Sequence, residues 1–197
     1  MQPSRMKSSS FRRTLVADLR MWKLPVDEHT HFFLLVKHTL FQYTLSHGFA
    51  CVFWYRLNRV IARTMPRVAR LIWVWRYYTF ANDISYLADI GPGFMVCHTS
   101  DIVIGVGVTI GARCTIFNGV TLGSKYRDRT NEKPSLGNDV VIGTGAKVLG
   151  NITIGDGVTI GALTFCDKSV PANHVARGNP MVIVPSKDVS TSESSNE

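Results

Sequence analysis

The sequence predicts a mainly β fold, a parallel β-helix preceded by an α-helical N-terminal domain. Three observations carry this: a six-residue aliphatic period in the second half, a helical apolar pattern with few glycines in the first, and a charge balance that reverses between them. Residues 1–80 carry 13 Lys and Arg against three acids (Asp18, Asp27, Glu28), a balance of +10, whereas residues 81–197 carry nine against eleven. The expected organisation is a basic, aromatic helical domain over 1–80, a β-helix over 81–185, and a disordered polar tail over 186–197.

In the first half, apolar residues recur with helical spacing between residues 30 and 80, with one break expected at Pro66. Arg56, Arg59, Arg63, Arg67 and Arg70 recur every three or four residues, which places them on one helix face if Pro66 only kinks it. Trp73, Trp75, Tyr77, Tyr78 and Phe80 follow closely. Such a stripe suits peripheral contact with an anionic membrane or a phosphate-bearing substrate, and equally a solvated helix face with the aromatics buried. No recognition motif accompanies it, which argues against nucleic acid.

In the second half, aliphatic anchors recur at Ile104, Ile110, Ile116 and Leu122, and again at Leu136, Ile142, Val148, Ile154 and Ile160. Glycine follows seven of the nine, and small or apolar residues stand two positions before them. Six is neither a helical nor a simple strand period. It fits a triangular prism in which each short strand forms one side, the anchor points inward, and eighteen residues complete a coil. Two irregularities interrupt it. The register slips by two between Ile102 and Ile104, just after His98, and a loop over 123–135 leaves the wall between Leu122 and Leu136, a gap of two hexads and two residues. Loops on a rigid scaffold are where sites are commonly built.

The four cysteines (Cys51, Cys97, Cys114, Cys166) form no CxxC pair, which fits a reducing compartment. No secretory signal is visible, and the most apolar region, around residues 31–57, is interrupted by Lys37, His38, Gln42, His47 and Arg56. The expected location is the cytoplasm, or the inner face of the cell membrane if the arginine stripe binds lipid.

Residues 82–184 resemble the hexapeptide-repeat acyltransferases of left-handed β-helix fold, most closely the serine acetyltransferase branch. The resemblance rests on "DISYLADIGPGFMVCHTSDIVIG", "NGVTLGSK", "VVIGTGAKVLGNITIGDGVTIGA" and "VPANHVARGNPMVIV". It implies an O-acetyltransferase using acetyl-CoA as co-substrate, with His98 as general base and Asp83, fifteen residues earlier, orienting it. A hydroxyl is a poor nucleophile until its proton is removed, and histidine suits that task near neutrality. A carboxylate on the far ring nitrogen fixes the tautomer. The resemblance also implies coenzyme contacts at Gly123, Thr144, Gly145, Gly161 and Ala162, with Lys125, Lys168 and Arg177 near its phosphates or simply solvated. "GALT" at 161–164 departs from the family's small residues and sets Leu163 on the coenzyme path. Homotrimers are the implied assembly, and in the serine branch trimers often pair.

The acceptor is where the sequence departs from its relatives. Cys97 stands where the serine branch has aspartate, and Glu132 and Lys133 stand where it has an Arg-His pair that helps bind serine. An acid cannot replace an arginine that grips a carboxylate. Cys97 and Lys133 are the candidate acceptor-side residues, and the expected acceptor is a sugar or glycan precursor, as in the polysaccharide-pathway members of the branch. Serine is the alternative, and a non-catalytic β-helix scaffold is the alternative of another class. No metal is expected: only His98 and His174 lie in the β-helix, too few for a three-histidine zinc site.

Overall fold

The computed structural model describes residues 10–126, 128 and 132–186. The expected tail lies outside them apart from Ser186.

Among the described residues, four helices lead the chain. Helix α1 (Phe11–Met21) begins at Ser10, whose hydroxyl accepts from the Arg13 amide. Helix α2 spans Phe32–Leu45, and α3 (His47–Ile61) is capped by Ser46, whose hydroxyl accepts from the Phe49 amide at 3.2 Å. Helix α4 (Pro66–Phe80) starts on the proline itself. Proline has no N–H to donate and disfavours helical geometry in the residue before it, so it opens a new helix here rather than kinking an old one. This corrects the expected arginine stripe. α3 stops at Ile61, and α4 packs against it as a separate rod. Arg56 is buried on Asp18 and Arg59 pairs with Asp89, which leaves Arg63, Arg67 and Arg70 exposed.

The strands then wind into a three-sided prism. One face stacks β1 (Asp83–Ile84), β4 (Val103–Ile104), β7 (Thr121–Gly123), β10 (Lys147–Leu149) and β13 (Phe165–Cys166). The second stacks β2 (Asp89–Ile90), β5 (Thr109–Ile110), β8 (Ser135–Leu136) and β11 (Thr153–Ile154). The third stacks β3 (Met95–Val96), β6 (Thr115–Ile116), β9 (Val141–Ile142), β12 (Thr159–Ile160) and β14 (His174–Arg177), and β15 (Val182–Pro185) closes it antiparallel. Every other pairing between these strands is parallel, and the anchors lie in register: Ile104 on Leu122, Leu122 on Val148, Ile116 on Ile142. These side chains are fully buried and form one column of core. At the corners the backbones come close enough to exclude a side chain: a Cβ at Gly111 would stand 2.3 Å from the Gly137 carbonyl oxygen.

The spacing explains both irregularities. Ile84 and Ile104 are paired across twenty residues, Ile104 and Leu122 across eighteen. The two extra residues sit in the corner between β3 and β4, which carries His98. Between β7 and β8 the chain makes only one step, from the first face to the second. Fourteen residues from Leu122 to Leu136 therefore hold eight more than a hexad needs, not two more than a pair of hexads, and the excursion is larger than expected.

Helix α3 plugs the open end of the first coil, which would otherwise present unpaired strand edges. Ala50, Cys51, Val52 and Tyr55 join Ile84, Ala88, Ile90, Phe94 and Val96 in one core, and the Tyr55 hydroxyl donates to the Ala88 carbonyl at 2.8 Å. At the N-terminus of α3, a Cβ on Gly48 would fall 1.9 Å from the Val96 carbonyl oxygen. Gly48→Ala is expected to push the helix off β3 and cost about 1–3 kcal/mol, as overpacking does. Calorimetry would read this as a lower Tm, and an unchanged Tm would mean that the helix does not seat as described.

Candidate active site

The widened corner after β3, residues 97–102, is held from behind. The Asp101 amide donates to the Ala81 carbonyl at 2.7 Å, and Asn82 Nδ2 donates to the Thr99 carbonyl at 3.2 Å. Cys97 and Thr99 are half-buried, while His98 and Ser100 are exposed. No hydrogen bond or ion pair engages the His98 ring among the described residues, so both nitrogens are open to an incoming group.

The helical region supplies the opposite wall. A cleft of about 600 Å³ is lined by Cys97, His98, Thr99 and Ser100 on one side. On the other stand Trp22, Gln42, Leu45, Ser46, His47 and Gly48. The start of α3 thus lines the cleft opposite His98 with the positive end of its helix dipole and the amides of His47 and Gly48, the Phe49 amide being taken by Ser46. Sequence reasoning did not find this wall. Ser46 before an apolar run reads as a cap, but nothing in the linear order tells which strand that cap will face.

Asp83 lies on β1, half-buried. Its carboxylate accepts from Trp73 Nε1 on α4 at 3.0 Å, and no hydrogen bond joins it to His98. The structure runs β1 beside the His98 corner, through the Asn82–Thr99 bond, but gives the carboxylate another partner. Trp73 is a second residue that sequence reasoning did not assign.

The coenzyme candidates divide between two edges of the prism. Thr144, Gly145, Gly161 and Ala162 occupy the same edge as His98, in successive coils between the third face and the first. The Thr144 and Ala162 amides take no part in the coil-to-coil hydrogen bonds that bind Gly145 to Asn118 and Leu163 to Thr144. Arg177 follows below, its Cβ 3.3 Å from where a Gly161 Cβ would stand. Leu163 does project on this edge: it is 75% exposed, holds a left-handed φ of 58°, and packs over Gly145. Gly123, Lys125 and Lys168 instead lie along the neighbouring edge, between the first face and the second. There Lys125 is already paired with Asp167 at 2.8 Å, while Lys168 is exposed.

Lys133 also belongs to that neighbouring edge. Its Nζ donates to Ser124 Oγ at 2.6 Å and lies close to Gly105. His98 and Lys133 are therefore not brought together within one chain.

Residues 133–167 match the family described as bacterial transferase hexapeptide (six repeats). Soybean serine acetyltransferase complexed with serine superposes with a TM-score of 0.74 at 32% identity, over 89% of this chain and 70% of that one. The chain belongs to the hexapeptide-repeat transferases. Its β-helix is of their left-handed kind. The Neisseria gonorrhoeae serine acetyltransferase superposes with a TM-score of 0.77 at 26% identity, over 94% of this chain and 71% of that one. Serine acetyltransferase 1, chloroplastic, of Arabidopsis thaliana is 34% identical over 144 residues, 73% of this chain and 43% of that protein. The chain spans about half or less of the length of the curated relatives it matches.

In this hexapeptide transferase the residue beside the candidate base is no ready nucleophile. Burial pushes the Cys97 thiol above its ordinary range, the opposite of the lowering that activates a nucleophilic cysteine. Among the described residues, no three His, Cys, Asp or Glu side chains converge as metal ligands. His174 lies on β14, its Nδ1 2.8 Å from the Ala172 carbonyl oxygen.

Proposed function

We propose that the chain is an acetyl-CoA-dependent O-acetyltransferase in which His98 is the general base and L-serine the acceptor. One observation carries the chemistry: His98 stands exposed and unpartnered at the widened corner, open to a cleft and on the same edge as Thr144, Gly145 and Ala162. Acetyl-CoA supplies the activated acetyl group as a thioester. His98 takes the proton of the acceptor hydroxyl as its oxygen bonds to the acetyl carbon, and returns it to the sulfur as the carbon–sulfur bond breaks. The products are the acetyl ester and free CoA, with no covalent bond to the protein. Asp83 would hold the imidazolium once it leaves Trp73. The open Thr144 and Ala162 amides support an amide-bearing coenzyme arm on that edge, with Arg177 as the candidate for its phosphates.

Serine is favoured by the relatives, which are named serine acetyltransferases, one of them complexed with serine. The first amides of α3 are suited to its carboxylate. This moves the acceptor away from the glycan that Cys97 and Lys133 suggested. A sugar hydroxyl stays as the second reading on one observation: among the described residues, no carboxylate lines the cleft to pair with the ammonium of an amino acid. A homotrimer is part of the same reading: His98 and Lys133 lie on different edges of one prism, and a neighbouring copy would let them face one site.

CoA release, followed with a thiol reagent, separates these readings. L-serine should drive release at least about tenfold faster than a panel of monosaccharides, a margin of the size that well-placed polar contacts supply. Release driven by a sugar alone would transfer the assignment to the second reading. No release and no CoA binding would leave a β-helix scaffold.

A further inference from the structure

Helix α2 buries only Leu35 and Gln42 of its fourteen residues. Phe32, Phe33, Leu40 and Phe41 are each more than half exposed. So much exposed aromatic and aliphatic surface on one helix marks a face that something covers. The patch continues across α3 onto α4. Trp54 Nε1 on α3 donates to the Tyr43 hydroxyl on α2 at 3.0 Å, and the Trp54 ring meets Trp75 on α4 with centroids 4.8 Å apart. Leu71 and Tyr78 then project from α4, 71% and 79% exposed.

The charge on this surface is of one sign. No Asp or Glu occurs between Glu28 and Asp83, while seven Lys and Arg do. Arg56 and Arg76 are buried and Arg59 is paired with Asp89. Lys37, Arg63, Arg67 and Arg70 are exposed, and none of them pairs with a carboxylate among the described residues. No helix is long and apolar enough to cross a membrane.

We propose that the outer surface of α2 and α4 docks on an anionic phospholipid bilayer, with the apolar side chains at the acyl boundary and Lys37, Arg63, Arg67 and Arg70 on the headgroups. Exposed Trp and Tyr beside unpaired cations suit the interfacial layer. Charge argues against a second copy as the occupant: the surface holds no acid, and packing it on itself sets cations against cations. Of the five arginines in the stripe expected from sequence, Arg56 and Arg59 are engaged within the protein. The docking surface keeps Arg63, Arg67 and Arg70 of that stripe, adds Lys37 and the apolar side chains of α2 and α4, and does not depend on the acetyl-transfer reading.

The test is flotation of the full chain with vesicles of phosphatidylcholine alone and of phosphatidylcholine with phosphatidylglycerol, at low and high salt. Wild type is expected to float with the anionic vesicles and to be released by salt. Each of Arg63→Gln, Arg67→Gln and Arg70→Gln should weaken that binding by about fivefold. Phe33→Ser with Tyr78→Ser should weaken it while raising solubility, and circular dichroism should stay unchanged because both side chains face outward. Binding that ignores phosphatidylglycerol and salt would overturn the proposal. So would absence of flotation, including the case where light scattering shows that the Phe33→Ser, Tyr78→Ser variant splits a larger assembly, which would assign the surface to a second copy.

Discussion

His98→Ala should slow acetyl transfer by about 10²–10⁴-fold, the usual contribution of a positioned general base, and should leave the fold untouched. The second half follows from the structure. His98 is exposed and holds no neighbour by a hydrogen bond, so truncating it removes no packing and orphans no buried group. A large fall in kcat with an unchanged Tm is therefore the expected pairing, equivalent to about 3–5 kcal/mol of transition-state stabilisation. KM for the coenzyme should change little, because Thr144, Gly145 and Ala162 lie in later coils than His98. Cys97→Ser is the matching control. Burial shifts the thiol up, away from a reactive thiolate, and its replacement by a hydroxyl of similar size should preserve transfer. Steady-state CoA release on both variants checks the pair. A His98→Ala protein with full activity would remove the base from the mechanism.

Asp18→Ala should destabilise the protein by about 3–5 kcal/mol, the range for breaking a buried ion pair by removing one partner. Asp18 is 1% exposed and accepts from Arg56 Nε at 2.9 Å and Nη2 at 3.1 Å. It also accepts from the amides of Gly93 and Phe94, at 2.8 and 2.9 Å. Arg56 in turn donates to the carbonyls of Ile90 and Gly91. This cluster ties α1 and α3 to the first coil of the β-helix. Burial pushes the Asp18 carboxyl up, while Arg56 and the two amides pull it down. Every partner is an N–H donor, so the ionised form is the one the site is built around. Alanine would leave the Arg56 guanidinium buried with carbonyls only. Thermal unfolding by circular dichroism reads the loss, and an Asp18→Ala protein within about 1 kcal/mol of wild type would show the pair to be replaceable.

The β-helix is legible because its physics is local. Each inward anchor, such as Ile110 or Ile142, must recur at the same point of every coil, and the chain writes that as a period of six. The slip after His98 was visible for the same reason, since two extra residues at a corner shift every later anchor. Long-range contacts carry no such mark. Arg56 reads as one member of an exposed stripe because its partner, Asp18, is 38 residues away. Pro66 announces a break but not that α4 will pack against α3. The candidate base came from the resemblance around His98, whereas the opposite wall at Ser46 and His47 arises only when α3 seats on β3. Trp73 holding Asp83 is likewise a tertiary fact, unreadable from their spacing.

The central claim, direct transfer with His98 as base, is tested most directly by following a labelled acetyl group. The protein is incubated with labelled acetyl-CoA, first alone and then with L-serine, and the protein and small-molecule fractions are counted. The expected result is no label on the protein in either case, and label on the acceptor that appears with wild type and is lost with His98→Ala. Label retained covalently on the chain before the acceptor is added, and chased from it afterwards, would contradict the claim and place an acyl-enzyme on the pathway.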